Sequence, residues 1–160
     1  MVMPIGRGFT LHFAWLLALI PFQVQVVTWD HVRPLASLTP GLTVPVTVAQ
    51  ICVPRYSATV RNVSASTKWQ VFKAYGVDPT KDTYEIDHLI SLELGGSNDV
   101  KNLWPQSYTT QPYNAHVKDT LENKLHYMVC HGALDLAVAQ KAIATDWIAA
   151  CKLYVPGCPR

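Results

Sequence analysis

The hydrophobic and polar positions change rhythm several times along this chain. Residues 9–22, FTLHFAWLLALIPF, are almost wholly apolar, and Arg7 is the only charge before Asp30. A positive start followed by a short apolar run has the form of a secretory signal, predicted to span residues 1–28. An uncleaved membrane anchor is the alternative reading. Gln23, Gln25 and Pro21 interrupt the apolar run, which argues against a clean spanning helix. Residues 29–50 carry prolines and the Pro40–Gly41 pair, which predict an irregular, extended lead-in.

Beyond the lead-in, TVAQICV (47–53) and YSATVRNV (56–63) have the β-branched and aromatic content of short strands. A helix is predicted over about 67–75, capped by Ser66 or Thr67, with Trp69, Phe72 and Tyr75 on its apolar side and Gly76 ending it. YEIDHL (84–89) reads as a strand, ELGGSND (93–99) as a glycine loop and NLWP (102–105) as a return strand ended by Pro105. Val117, Leu121, Leu125, Met128 and Val129 recur at helical spacing and predict a helix from Tyr113 or Asn114 to about Cys130. A second helix is predicted over about 135–152, capped by Asp135 and packed through Leu136, Ala139, Ile143, Trp147, Ile148 and Cys151. The fold class is therefore α+β, in one domain from residue 51 to residue 160.

Composition changes this picture little. The 160 residues are 49% hydrophobic and 15% charged, with a formal net charge of +2. Such weak basicity gives no electrostatic wrapping of nucleic acid, so any case for such a partner rests on a local site. The four cysteines, Cys52, Cys130, Cys151 and Cys158, are even in number, which in an exported chain favours two disulfides. Three pairings are open. The Pro-Gly turn between Cys151 and Cys158 would let those two close, leaving Cys52 with Cys130. The short C-x(2–4)-C spacing of a four-cysteine zinc site is absent.

The chemistry concentrates where Asp87 and His88 stand together at a strand end, before Gly95, Gly96 and Asn102. An imidazole there can take a proton from water at neutral pH, and a carboxylate can hold a cation. The segment DHLISLELGGSNDVKNL resembles the core of the HNH endonucleases, the ββα-metal or His-Me finger nucleases. NAHVKDTLENKLHYMVCHG and AQKAIATDW are similar to the tail of a small exported branch of such proteins, actinobacterial or phage-associated. The likeness covers residues 51–153.

The resemblance implies a small ββα-metal core with additional N-terminal strands and a C-terminal helix. It implies metal-dependent, low-specificity hydrolysis of phosphodiester bonds, with DNA the favoured partner. His88 would be the general base, Asp87 the first metal ligand and Asn102 the residue that braces the loop. The helix ligand would be His116, with Asn114 the alternative. Mg²⁺ is the favoured cofactor, and Mn²⁺, Ni²⁺ or Zn²⁺ suit a site with a histidine ligand. Lys118, Arg55, Arg61 and Lys101 are the candidate phosphate contacts. Cleavage of the signal would leave a secreted protein with no stable membrane partner, and no obligate protein partner is evident. Two other readings stand beside this one: a catalytically inactive finger that binds nucleic acid, and a disulfide-stabilised secreted structural protein.

Overall fold

A computed structural model describes residues 29–78, 80 and 83–160. The predicted signal, residues 1–28, lies outside the described residues. Helices α1 (Val48–Ile51), α2 (Tyr56–Val60) and α3 (Ala65–Tyr75) lead into strands β1 (Tyr84–His88) and β2 (Leu103–Ser107). Helices α4 (Ala115–Cys130) and α5 (Leu136–Tyr154) follow. The chain is thus α+β, with a two-stranded antiparallel sheet that runs in register from Tyr84 opposite Ser107 to His88 opposite Leu103.

The expected N-terminal strands are helices instead. Thr47 and Gln50 form a reciprocal capping box: each side chain binds the other's backbone N–H and fixes the first turn of α1. Among the described residues, no strand lies beside the Val and Thr residues of this region, and β-branched side chains favour a strand only where such a pleated surface exists. An isolated bridge of Thr43 with Gly96 is, among the described residues, the strand-like pairing this region retains. Helix α3 starts earlier than predicted, because Ser64 is its cap and accepts from the Thr67 N–H at 3.1 Å. Its buried residue is Val71, whereas Trp69 is 63% exposed. Strand β2 continues through Pro105, which faces Ile86. A two-stranded sheet has free edges, where a missing N–H costs no ladder bond.

The main core lies between α4 and α5. Leu121, Leu125 and Val129 pack with Ile143, Trp147 and Ile148, and Ile51 of α1 joins them. Asp135 caps α5 as predicted, through the N–H groups of Ala137 and Val138. At Asp146 the helix breaks, and its carboxylate caps the continuation at Ile148 and Ala149. A smaller cluster of Val71, Ile86 and Leu103 fastens α3 to the sheet. Trp104 is fully buried. The lead-in crosses both halves: Thr39 donates to the Leu103 carbonyl at 2.8 Å, and the Val32 carbonyl accepts from the Trp147 indole at 2.9 Å.

Two disulfides close the structure. Cys52–Cys130 joins the end of α1 to the end of α4 across 78 residues. Cys151–Cys158 folds the tail onto α5. Among the described residues no helix is long and apolar enough to cross a membrane.

Candidate active site at the hairpin and the following helix

The loop between β1 and β2 is organised by one buried amide. Asn102 is fully buried. Its Oδ1 accepts from the Ile90 N–H at 2.9 Å and from the Leu42 N–H at 3.4 Å. Its Nδ2 donates to the Ile90 and Ser97 carbonyls at 3.0 and 2.9 Å. One side chain thereby ties the loop's first residues to its last and to the lead-in. Gly95 adopts a left-handed φ of +77°, as the double glycine suggests. Gly96 is required for a different reason: a Cβ there would lie 1.7 Å from the Ile90 carbonyl oxygen.

Side chains alternate along β1, so Glu85 and Asp87 share one face and His88 takes the other. Asp87 reaches α4, where its Oδ2 accepts from Lys118 Nζ at 2.6 Å. Lys118 also donates to the His88 carbonyl at 2.7 Å and to Glu122, one turn along the same helix. The ammonium is fully buried and its three hydrogens have three acceptors. Burial alone would lower the Lys118 pKa, but Asp87 and Glu122 outweigh it and hold the group above the ordinary lysine value. Burial pushes Glu122 up to about 7 against the pull of Lys118, with Asp87 adding to the rise. Lys118 is therefore not a phosphate contact. It is the internal post that fixes Asp87 and the end of β1 to α4.

His88 is also buried. Its Nε2 lies 3.1 Å from Oδ1 of Asn98. That oxygen already accepts from the Asn62 N–H at 3.2 Å, and Asn98 Nδ2 donates to the Val60 carbonyl at 2.8 Å. An amide oriented in this way offers only its oxygen to the ring. Nε2 must then carry the proton, and Nδ1 keeps the basic lone pair of the neutral imidazole. Burial lowers the His88 pKa from its ordinary value. Asn98 and Asp87 oppose that effect, while Arg61 and Lys118 add to it. The ring is neutral at neutral pH, the state a base requires.

Around Asp87 the rim is acidic. Burial raises Asp119, and the charge of Asp87 raises it further. Burial raises Glu85 as well, against a hydrogen bond from Tyr108 and with the help of Asp87 and Asp119. Tyr108 donates to Glu85 Oε2 at 2.7 Å, whereas Glu85 Oε1 is buried and unpartnered. His116 is exposed on the first turn of α4, and its ring lies beside Tyr108 with centroids 5.2 Å apart. Its charge acts on Asp119, as does that of Arg61. Asn114 spends its side-chain oxygen capping α4 at the Val117 N–H, 3.2 Å away. That occupation argues against Asn114 as a ligand.

No protein-family model, curated protein or solved structure matches the chain.

Asp87 and His88 are thus neighbours on opposite faces of β1, turned to Lys118 and to Asn98, Asn102 anchors the loop that follows, and Arg61 is within electrostatic reach of His88. Arg55, in a left-handed conformation before α2, and Lys101, beside Asn102, are both exposed. Asp87, Asp119, His116 and Glu85 are of residue types that can ligate a divalent cation. Among the described residues, however, the one group of three His, Cys, Asp or Glu ligand atoms within 4.8 Å of one another is Cys52, His126 and Cys130. A cation at Asp87 would therefore rely on water or substrate oxygens for much of its shell, the usual habit of Mg²⁺.

Three site residues escaped the sequence reading. Asn98 lies inside the glycine loop and looks there like a turn residue. Asp119 and Glu122 look like the solvated face of a helix. The i,i+4 spacing of Lys118 and Glu122 was the available signal for the second of these.

Proposed function

We propose that this chain is a metal-dependent, low-specificity endonuclease of the HNH type, hydrolysing phosphodiester bonds in nucleic acid with DNA the favoured substrate. On this reading β1, β2 and α4 are a ββα-metal finger. The observation that carries the proposal is His88. It is a buried, neutral imidazole whose Nε2 is held by Asn98, beside Asp87 and within the field of Arg61. A histidine fixed through one nitrogen has its other nitrogen defined as a proton acceptor.

His88 Nδ1 takes a proton from water, and the resulting hydroxide attacks phosphorus in line with the departing oxygen. Asn98 holds the ring in the required tautomer. Asn102 holds the loop that carries Asn98, and Lys118 holds the strand that carries His88. Arg61 offers positive charge to the phosphate. Asp87 and His116 would hold a divalent cation, which would neutralise charge on the phosphoryl group and the departing 3′ oxygen. Nothing in the site resembles a base-reading helix, in keeping with low sequence specificity. The two disulfides agree with an oxidising, extracytoplasmic setting, and export is part of the proposal.

A second reading is favoured by one observation: Asp87 already gives an oxygen to Lys118. A finger so braced could bind nucleic acid without cutting it. Incubation of supercoiled plasmid with the oxidised protein and Mg²⁺, Mn²⁺, Ni²⁺ or Zn²⁺ separates the two. Cleavage abolished by His88→Ala and by chelation supports the nuclease. Retention of DNA without cleavage under every metal supports the binding module.

A further inference from the structure

The only close cluster of metal-ligating atoms among the described residues lies far along α4 from Asp87. Cys52 Sγ, Cys130 Sγ and a His126 ring nitrogen all lie within 4.8 Å of one another. His126 and Cys130 are one helical turn apart on α4, so both point at the end of α1, where Cys52 stands. His126 Nε2 lies 3.3 Å from Cys130 Sγ and 3.0 Å from the Ile51 carbonyl oxygen. Its other nitrogen, Nδ1, faces Glu93 Oε2 at 3.9 Å, and that oxygen is buried with no hydrogen-bond partner.

A disulfide needs none of this. The Cys52–Cys130 bridge is complete without a histidine against one sulfur or a carboxylate behind that histidine. Two sulfurs, an imidazole nitrogen facing them and a carboxylate on the imidazole's far side are the parts of a zinc site with its supporting carboxylate. We propose that Cys52, His126 and Cys130 form a zinc site that the disulfide masks, and that reduction exposes it.

The steps balance with a dithiol as reductant. Thiol–disulfide exchange breaks the Cys52–Cys130 bond, and both sulfurs gain a proton while the dithiol becomes a cyclic disulfide. In the oxidised chain His126 Nε2 carries the ring proton, because the Ile51 carbonyl can only accept. On Zn²⁺ binding that proton would pass to Nδ1, the two thiol protons would leave, and the ion would be held by two thiolates and the freed Nε2 lone pair. The imidazole proton sits on Nδ1, facing Glu93, which orients the ring. Three protein ligands leave a fourth position to water. The metal replaces the covalent bridge between α1 and α4, so the two helices stay joined in either redox state. Reoxidation of the two sulfurs to the disulfide, by an acceptor disulfide, expels the ion. This inference stands apart from the nuclease reading and uses none of its residues.

The test uses the full chain, reduced with dithiothreitol, desalted without oxygen and titrated with Co²⁺ and Zn²⁺. The reduced chain is expected to bind one metal ion, with thiolate-to-cobalt charge-transfer absorption, and the oxidised chain none. Cys151→Ser/Cys158→Ser should retain the site, and Glu93→Gln should weaken it about 10-fold or more. X-ray absorption of the zinc-loaded wild type, which needs no variant to fold, should count two sulfur ligands and a histidine nitrogen. Equal binding by oxidised and reduced chains, binding lost in Cys151→Ser/Cys158→Ser, or a bound metal with no nitrogen ligand would each overturn the proposal.

Discussion

At the scale of single residues, three side chains carry different burdens. Asn102 satisfies four backbone groups from inside the protein. Asn102→Ala would remove the partner of the Ile90 and Leu42 N–H groups and of the Ile90 and Ser97 carbonyls, each costing about 1–3 kcal/mol if left unsatisfied. A loss of at least about 3 kcal/mol is expected from denaturant unfolding, far beyond a surface substitution. His88 has a lowered pKa, so the folded protein binds its proton less readily than the unfolded chain does. Its contribution to stability is present above the unfolded value of 6.5 and is lost as pH falls below it. The ring should titrate below 6.5 when followed by NMR, and cleavage should keep its plateau down to that lower pKa. An unshifted titration would mean that burial is not felt by the ring. That Asn102 braces the loop is an expectation drawn from the family resemblance, and its bonds to Ile90 and Ser97 agree with it, whereas its reach to Leu42, 60 residues away, has no local signal. The role of Asn98 was not legible in the sequence, because its partners Val60 and Asn62 come from a segment about 36 residues away.

Between elements, one device holds the hairpin loop together and a second locks the hairpin to α4. The first is the close approach of Gly96 to Ile90. Gly96→Ala would force the loop backbone apart, and a destabilisation of about 3 kcal/mol or more is expected from thermal unfolding. The second is Lys118. Lys118→Met would leave Asp87 and Glu122 without their shared cation, and removal of one partner from a buried pair costs about 3–5 kcal/mol. If Lys118 instead met phosphate, the same substitution would weaken DNA binding and leave unfolding unchanged. Helices α4 and α5 could be read from the sequence because each has several turns of apolar spacing and α5 has its Asp135 cap, and the two five-residue strands because they flank a Gly-Gly turn. Helices α1 and α2 have four and five residues, too few for a period to emerge, and their form is set by a capping box and by neighbours. The burial of Lys118 was likewise invisible, since it depends on a strand 30 residues earlier in the chain.

Across the whole molecule, the disulfides divide the stabilisation unequally. Cys52–Cys130 closes a loop of 78 residues and Cys151–Cys158 one of seven. Chain-entropy reasoning gives about 4–5 kcal/mol for the first and about 2–3 kcal/mol for the second. Replacing each pair by serine should therefore lower the melting temperature more for Cys52/Cys130, and the reverse order would show that the tail bridge is the critical one. The central claim concerns the site at the hairpin, and plasmid cleavage by wild-type protein beside His88→Ala tests it most directly. The account predicts metal-dependent cleavage by the wild type and a loss of about 10²–10⁴-fold in the variant, with the fold intact. Equal cleavage by the two proteins, or no cleavage by correctly oxidised wild type with any divalent metal, would contradict it.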